Sequence, residues 1–200
     1  VISFIRKKEF TAAGDLLEVT DEMKVLTSIV ITQLTFGHPE EDLEMFNRII
    51  LFPDEFRFGR TDQYFKGEVN LTGCILLSWK NLLEGVNDRE DGINLALHEA
   101  AHAFRLSVAF GMVDNAENMI RKLHEFDNLA AGEMQKYEEG RQEFFRAYGA
   151  ENYNEFFAVA VECYFERPKQ FVEYNQLLYN KLMEILRLDL LQPDPVITKS

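Results

Sequence analysis

Residues 98–102 read His98-Glu99-Ala100-Ala101-His102, a His-Glu-x-x-His pattern. On a helix, positions i and i+4 lie one turn apart on the same side, so both imidazoles can reach one metal ion. The carboxylate after the first His then points to where a metal-bound water would sit. A catalytic zinc takes three protein ligands and a water, and lowers the pKa of that water to ~7. The neighbouring carboxylate collects the proton as attack proceeds. The chemistry in view is hydrolysis by a metal-activated water, with His98 and His102 as ligands and Glu99 as general base.

The pattern supplies two ligands, so a third must come from elsewhere. No His or Asp follows at the spacing a metzincin would use. The carboxylate candidates lie after Asn152. Glu155 and Glu162 are seven residues apart, on one helix face two turns along. Each has a plainer reading. Asn152-Tyr-Asn-Glu155 has capping-box spacing, with Glu155 reaching back to a backbone N–H. Glu162 can orient a ligand histidine from behind. Spacing alone leaves both open. Two competing readings concern the motif itself. One is a surface helix with a chance match. The other is a di-iron carboxylate bundle on Glu99-x-x-His102, which needs a second such motif, and none is found.

The element that must position the histidines is amphipathic. Ile93, Leu97, Ala100, Ala101, Phe104 and Val108 form one apolar stripe, and the histidines lie roughly 150° from its centre. Leu95 and Leu106 flank them, which suggests a cleft wall. A helix capped by Asp88 or Asp91 is expected to run to about Phe110. Others are expected at 20–36, at 115–138, from Asn152 to just before Pro168, and from Pro168 to about Leu188. Strands are expected at Phe46–Phe52 and, near a sheet edge, between Tyr64 and Trp79. Early strands followed by helices make the fold α+β, with a small sheet and a mainly helical C-terminal half. Residues 1–190 are expected as one domain and 191–200 as a loose tail.

Composition narrows the partners. The chain is 46% hydrophobic and carries a net charge of −13. That is globular composition, and its field repels phosphate backbones, so nucleic acid is not an expected partner. No apolar run approaches the ~20 residues of a membrane span. Cys74 and Cys163 have no CxxC spacing, which points to reduced thiols and a cytoplasmic setting. Cys163 follows Glu162 but faces another way and reads as packing. His38 and His124 read as surface or capping residues, and the charged run from Glu133 to Arg141 as a solvated helix end.

The stretch His98-Glu-Ala-Ala-His102, with Tyr148-Gly-Ala-Glu-Asn-Tyr-Asn-Glu155-Phe-Phe-Ala-Val-Ala-Val-Glu162-Cys-Tyr-Phe-Glu-Arg-Pro168, resembles the MtfA family of zinc-dependent peptidases. Leu17-Glu-Val-Thr-Asp-Glu-Met-Lys, Gln33-Leu-Thr-Phe-Gly37 and Gly67-Glu-Val-Asn are similar as well. That family is in turn similar to the protease domain of anthrax lethal factor. The resemblance implies a zincin-like fold of gluzincin type and one Zn2+ per chain, held by His98, His102 and Glu155. It also implies that Glu99 is the general base, that Tyr148 lies near the reacting carbonyl, and that the substrate is a peptide or protein. Aminopeptidase activity is one form this would take. A phenol at Tyr148 can donate to the oxyanion that forms. One departure stands out: better-known members continue after the second His with a Lys-Leu-Asp-like segment, and this chain has Ala103-Phe-Arg105, which bears on substrate preference. For some members the resemblance further implies binding of a transcriptional repressor of glucose uptake. The alternative function is therefore a zinc-stabilised module that captures such a regulatory protein. A peptide substrate is expected to pair with an edge strand, taken as Gly73 to Trp79.

Overall fold

In the computed structural model, residues 1–38, 43–57, 62–141 and 144–192 are described. Cys74–Ser78 is almost wholly apolar and is buried at all five positions, as an interior strand should be. It is one of four strands in a sheet. In chain order these are β1 (Glu9–Ala12), β2 (Arg48–Phe52), β5 (Gly67–Asn70) and β6 (Cys74–Ser78), and their order across the sheet is β1-β2-β6-β5. β1, β2 and β6 are parallel, whereas β5 runs antiparallel on the outer side of β6, with Gly67 opposite Leu77. Between them in the chain, β3 (Phe56–Arg57) and β4 (Tyr64–Phe65) form a short antiparallel pair.

The edge strand is thus not the one expected. Residues 74–78 are enclosed between β2 and β5, and the edge strands are β1 and β5, of which β5 is the one beside residues 74–78. The reason is reach. A parallel neighbour needs a long crossover, but the turn at Asn70–Gly73 lets β5 fold back beside β6 directly. Gly73 makes that turn at φ +81, and an added Cβ there would sit 2.6 Å from the Met45 carbonyl oxygen.

The helices are α1 (Ile2–Lys7), α2 (Asp21–Leu34), α3 (Trp79–Asn87), α4 (Leu95–Ala109), α5 (Ala116–Glu138), α6 (Tyr153–Glu166), α7 (Pro168–Tyr174) and α8 (Gln176–Leu186). The architecture is mixed α/β, mostly helical with a small sheet. No helix among the described residues is long and apolar enough to cross a membrane. The expected 20–36 helix appears as α2, with Thr20 accepting the Met23 N–H as its cap. The helix carrying the histidines starts later than expected. Asn94 caps it through the Leu97 N–H, while Asp88 and Asp91 accept the N–H groups of Glu90 and Ile93 in the preceding loop. The expected helix from Pro168 to Leu188 is two helices. Asn175 breaks it by capping α8 and by donating to Glu133 on α5 at 2.7 Å. Residues 193–200, most of the expected tail, lie outside the described residues.

α4 holds the middle of the core. Leu97, Ala100, Ala101, Phe104 and Val108 are buried, and the helix packs on α6 and α2 while its other side lies against β5 and β6. Four alanines on α4 and two on α6 are fully buried, so the two backbones approach closely. Phe156 and Phe157 of α6 pack against Phe126 of α5, with ring centroids 6.2 and 5.2 Å away. The close α4–α6 packing decides where their polar side chains meet.

Candidate metal centre

α4 presents His98, Glu99 and His102 to a cleft between β5 and the start of α6. Asn152 caps α6 by accepting the N–H groups of Asn154 and Glu155. That leaves the Glu155 carboxylate free of the capping-box role, and it turns to the histidines instead. Glu155 Oε2 lies 3.0 Å from His98 Nε2 and 3.4 Å from His102 Nε2, and the two Nε2 atoms are 3.1 Å apart. These three residues form a cluster that could hold a metal ion.

Glu162 sits two turns further along α6, on the opposite side of the same imidazole. Its carboxylate is fully buried, accepts the Asn94 N–H at 2.8 Å and lies 3.1 Å from His98 Nδ1. Arg146 donates to it as well. The His98 ring is therefore gripped from both sides, Nε2 towards Glu155 and Nδ1 towards Glu162, a pattern that fixes ring orientation at metal sites. Glu162 thus stands behind the ring while Glu155 joins the cluster.

The charges here are strongly coupled. Burial disfavours the charged His98 ring, but hydrogen bonds to Glu155 and Glu162 outweigh it and raise His98 to about 10. Burial likewise works against the Glu155 carboxylate, yet the His102 and His98 rings hold it down at about 2. Protons bind these groups together where a cation can replace them. Glu99 is different. It is 5% exposed, and burial pushes its carboxyl up to about 8.

Tyr148 lies on a 3-10 turn over Ala147–Ala150, its ring 5.7 Å from that of His98. Burial, then the negative charge of Glu155, pushes its phenol up to about 12, so it stays a hydrogen-bond donor at neutral pH. The cleft continues on both sides of these groups. A cavity of about 860 Å³ runs past His102 to Arg105, His124 and Asp127, and another of about 940 Å³ runs past Glu99 to Tyr64, Asn81 and Asp91. Arg105 pairs with Asp127 through two hydrogen bonds of 2.8 and 2.9 Å, so the segment after the second His forms a neutralised wall.

Sequence reasoning missed Arg146 and Asn94. Arg146 had a signal: a Glu162 inside an apolar helix demands a cation, and Arg146 precedes the candidate Tyr148 by two residues. His38 is buried, and its Nε2 meets the Ile185 carbonyl oxygen at 2.8 Å near the end of α8, which is a capping position. Cys163 is buried, with its thiol pushed up to about 12 by desolvation, so it is packing and not a nucleophile.

Comparison with known proteins points to a metallo-peptidase family. The model of the family described as "Glucose-regulated metallo-peptidase M90" matches residues 1–187. A protein of Synechocystis sp. (strain ATCC 27184 / PCC 6803 / Kazusa), named "Uncharacterized protein slr2042", is 25% identical over 208 residues, covering 93% of this chain and 73% of that protein.

Proposed function

The chain belongs to the glucose-regulated metallo-peptidase M90 family, and from that premise and the geometry of the cleft we propose that it hydrolyses peptide bonds as a zinc peptidase of gluzincin type. The reading takes residues 1–190 as one zincin-like domain working in the cytoplasm. The observation that carries it is the triangle of His98 Nε2, His102 Nε2 and Glu155 Oε2, with sides of 3.0, 3.1 and 3.4 Å. Zinc bonds of 2.0–2.1 Å in a tetrahedron put neighbouring ligand atoms about 3.3 Å apart. Two nitrogens and one carboxylate oxygen at that spacing suit zinc better than calcium, which takes 6–8 oxygens. Held by His98, His102 and Glu155, such a metal would supply a water that ionises near neutrality and a positive charge for the substrate carbonyl.

The chain's own residues do the rest. Glu99 is the base that receives the water's proton and passes it to the leaving amine, and burial raises its carboxylate's affinity for that proton. Tyr148 donates to the oxyanion. The Ser78 N–H donates to the Lys66 carbonyl at 2.7 Å, so by the antiparallel alternation the N–H and C=O of Gly67 and Val69 turn to the open edge. A peptide laid along β5 would pair with them. Glu68 lines the same cleft, and its carboxylate accepts no hydrogen bond from the described residues. It can take the free amine of a substrate, which makes aminopeptidase action the form of the reaction we favour.

The test is Glu99→Gln in the zinc-loaded protein, assayed on free and N-acetylated peptides. Zinc retained with turnover reduced by orders of magnitude supports the role. Unchanged turnover overturns it, and equal cleavage of acetylated peptides overturns the amine-binding role of Glu68. A zinc-loaded wild type that cleaves no peptide moves the reading to the zinc-stabilised binding module.

A further inference from the structure

We propose that Gly67 is a positioning residue that seats the Glu99 carboxylate, its missing side chain leaving the space in which the base lies against the edge strand. The inference rests on the peptidase reading for its kinetic part.

An ideal Cβ built on Gly67 would lie 2.4 Å from Glu99 Oε1, 2.6 Å from Cγ and 2.7 Å from Cδ. The φ of Gly67 is outside the left-handed region, so the demand at this position is for space and not for glycine's conformational freedom. All three of these contacts are with Glu99, and they include Cγ in its stem, so a swing of the carboxylate end alone does not relieve them.

Which side must yield follows from what holds each. β5 is bonded to β6, and Leu77, opposite Gly67, is fully buried at the centre of the sheet. The Glu99 backbone is fixed in α4, which packs against α2, α6 and the sheet. The movable part is the Glu99 side chain. A methyl group on residue 67 drives it towards the cleft, away from the place beside the His98–His102–Glu155 cluster. Gly67 borders both cavities, so it stands where they join at the base. The same residue that offers its N–H and C=O to the open edge thereby gives the base its seat.

The experiment is a double-mutant cycle between Gly67→Ala and Glu99→Ala, read by thermal unfolding of the zinc-loaded proteins, with kinetics of Gly67→Ala beside it. Overpacking should lower Tm by roughly 3–10 °C when Glu99 is present. It should lower Tm by less than half as much when Glu99→Ala has removed Cγ, Cδ and Oε1. In Gly67→Ala, kcat should fall on the order of 10- to 100-fold while KM changes less than about threefold and zinc is retained. Glu99→Asp, one methylene shorter, should tolerate Gly67→Ala with a smaller further loss of kcat. Additive Tm losses overturn the proposal. So does a kcat loss from Gly67→Ala that is the same in the wild-type and Glu99→Asp backgrounds. If the zinc-loaded wild type turns over no peptide, the peptidase reading fails, and the unfolding cycle still decides the Gly67–Glu99 contact.

Discussion

Glu162→Gln should damage the fold first and the metal second, and Glu155→Gln should do the reverse. The Glu162 side chain is 1% exposed and meets donors only: the Asn94 N–H at 2.8 Å, His98 Nδ1 at 3.1 Å and the Arg146 guanidinium. A glutamine of the same shape can accept on one side but turns an NH2 towards donors on the other. It loses at least one charge-assisted hydrogen bond, worth about 1.5–3 kcal/mol. For a domain of this size that lowers Tm by roughly 3–12 °C. The His98 ring then has a weaker anchor, and zinc affinity should fall about 10- to 100-fold. Glu155 is 16% exposed and opens on the cleft, where water can serve the freed imidazoles. Its replacement should cost the metal-free protein less than that of the fully buried Glu162, because water reaches the freed groups. As a lost ligand, however, it should weaken zinc by well over roughly 100-fold. Thermal unfolding of the metal-free proteins and chelator competition for zinc measure the two quantities separately. Stronger zinc loss in Glu162→Gln than in Glu155→Gln would refute the assignment of the two carboxylates.

Other consequences can be checked alongside. Tyr148→Phe should keep zinc and lose about 10²- to 10³-fold in kcat, as loss of one oxyanion donor does; an unchanged kcat removes Tyr148 from the reaction. Burial raises the Glu166 carboxyl from 4.5 to about 7. The folded state therefore holds this proton more tightly than the unfolded one, and the stability it contributes, complete below pH 4.5, is lost as pH rises through about 7. Glu166→Gln should flatten the stability profile across that window, and an identical slope in denaturant titrations counts against the account. Cys74 and Cys163 are both buried, so a thiol reagent should label them only on unfolding; rapid native labelling contradicts their packing role.

The candidate site was more legible in the sequence than the topology. His98, Glu99 and His102 declare themselves by a four-residue spacing on one helix, a local rule that tertiary packing does not alter. The Asn152 start and the stop before Pro168 are equally local, set by a side-chain cap and a ring without an N–H. The choice between Glu155 and Glu162 was not local. It depends on how closely α4 and α6 approach, which their buried alanines set. The order of the strands is non-local too: Cys74–Ser78 reads as a strand wherever it lies, and only its pairing with both β2 and β5 shows that it is interior. Arg146 and Gly67 act across the fold on residues they are far from in the chain, and hydrophobic periodicity carries no trace of either. The break at Asn175 had only a single polar residue to announce it, and that residue's amide is needed by Glu133 on another helix.

Zinc per chain is the measurement that reaches the central claim most directly. After a weak-chelator wash and dialysis against trace zinc, elemental analysis should find about one zinc in the folded wild type, in Glu99→Gln and in Tyr148→Phe. It should find almost none in His102→Ala and Glu155→Ala proteins that remain folded by circular dichroism. A folded wild type without zinc, or a Glu155→Ala protein that holds it as tightly, would contradict the three-ligand centre.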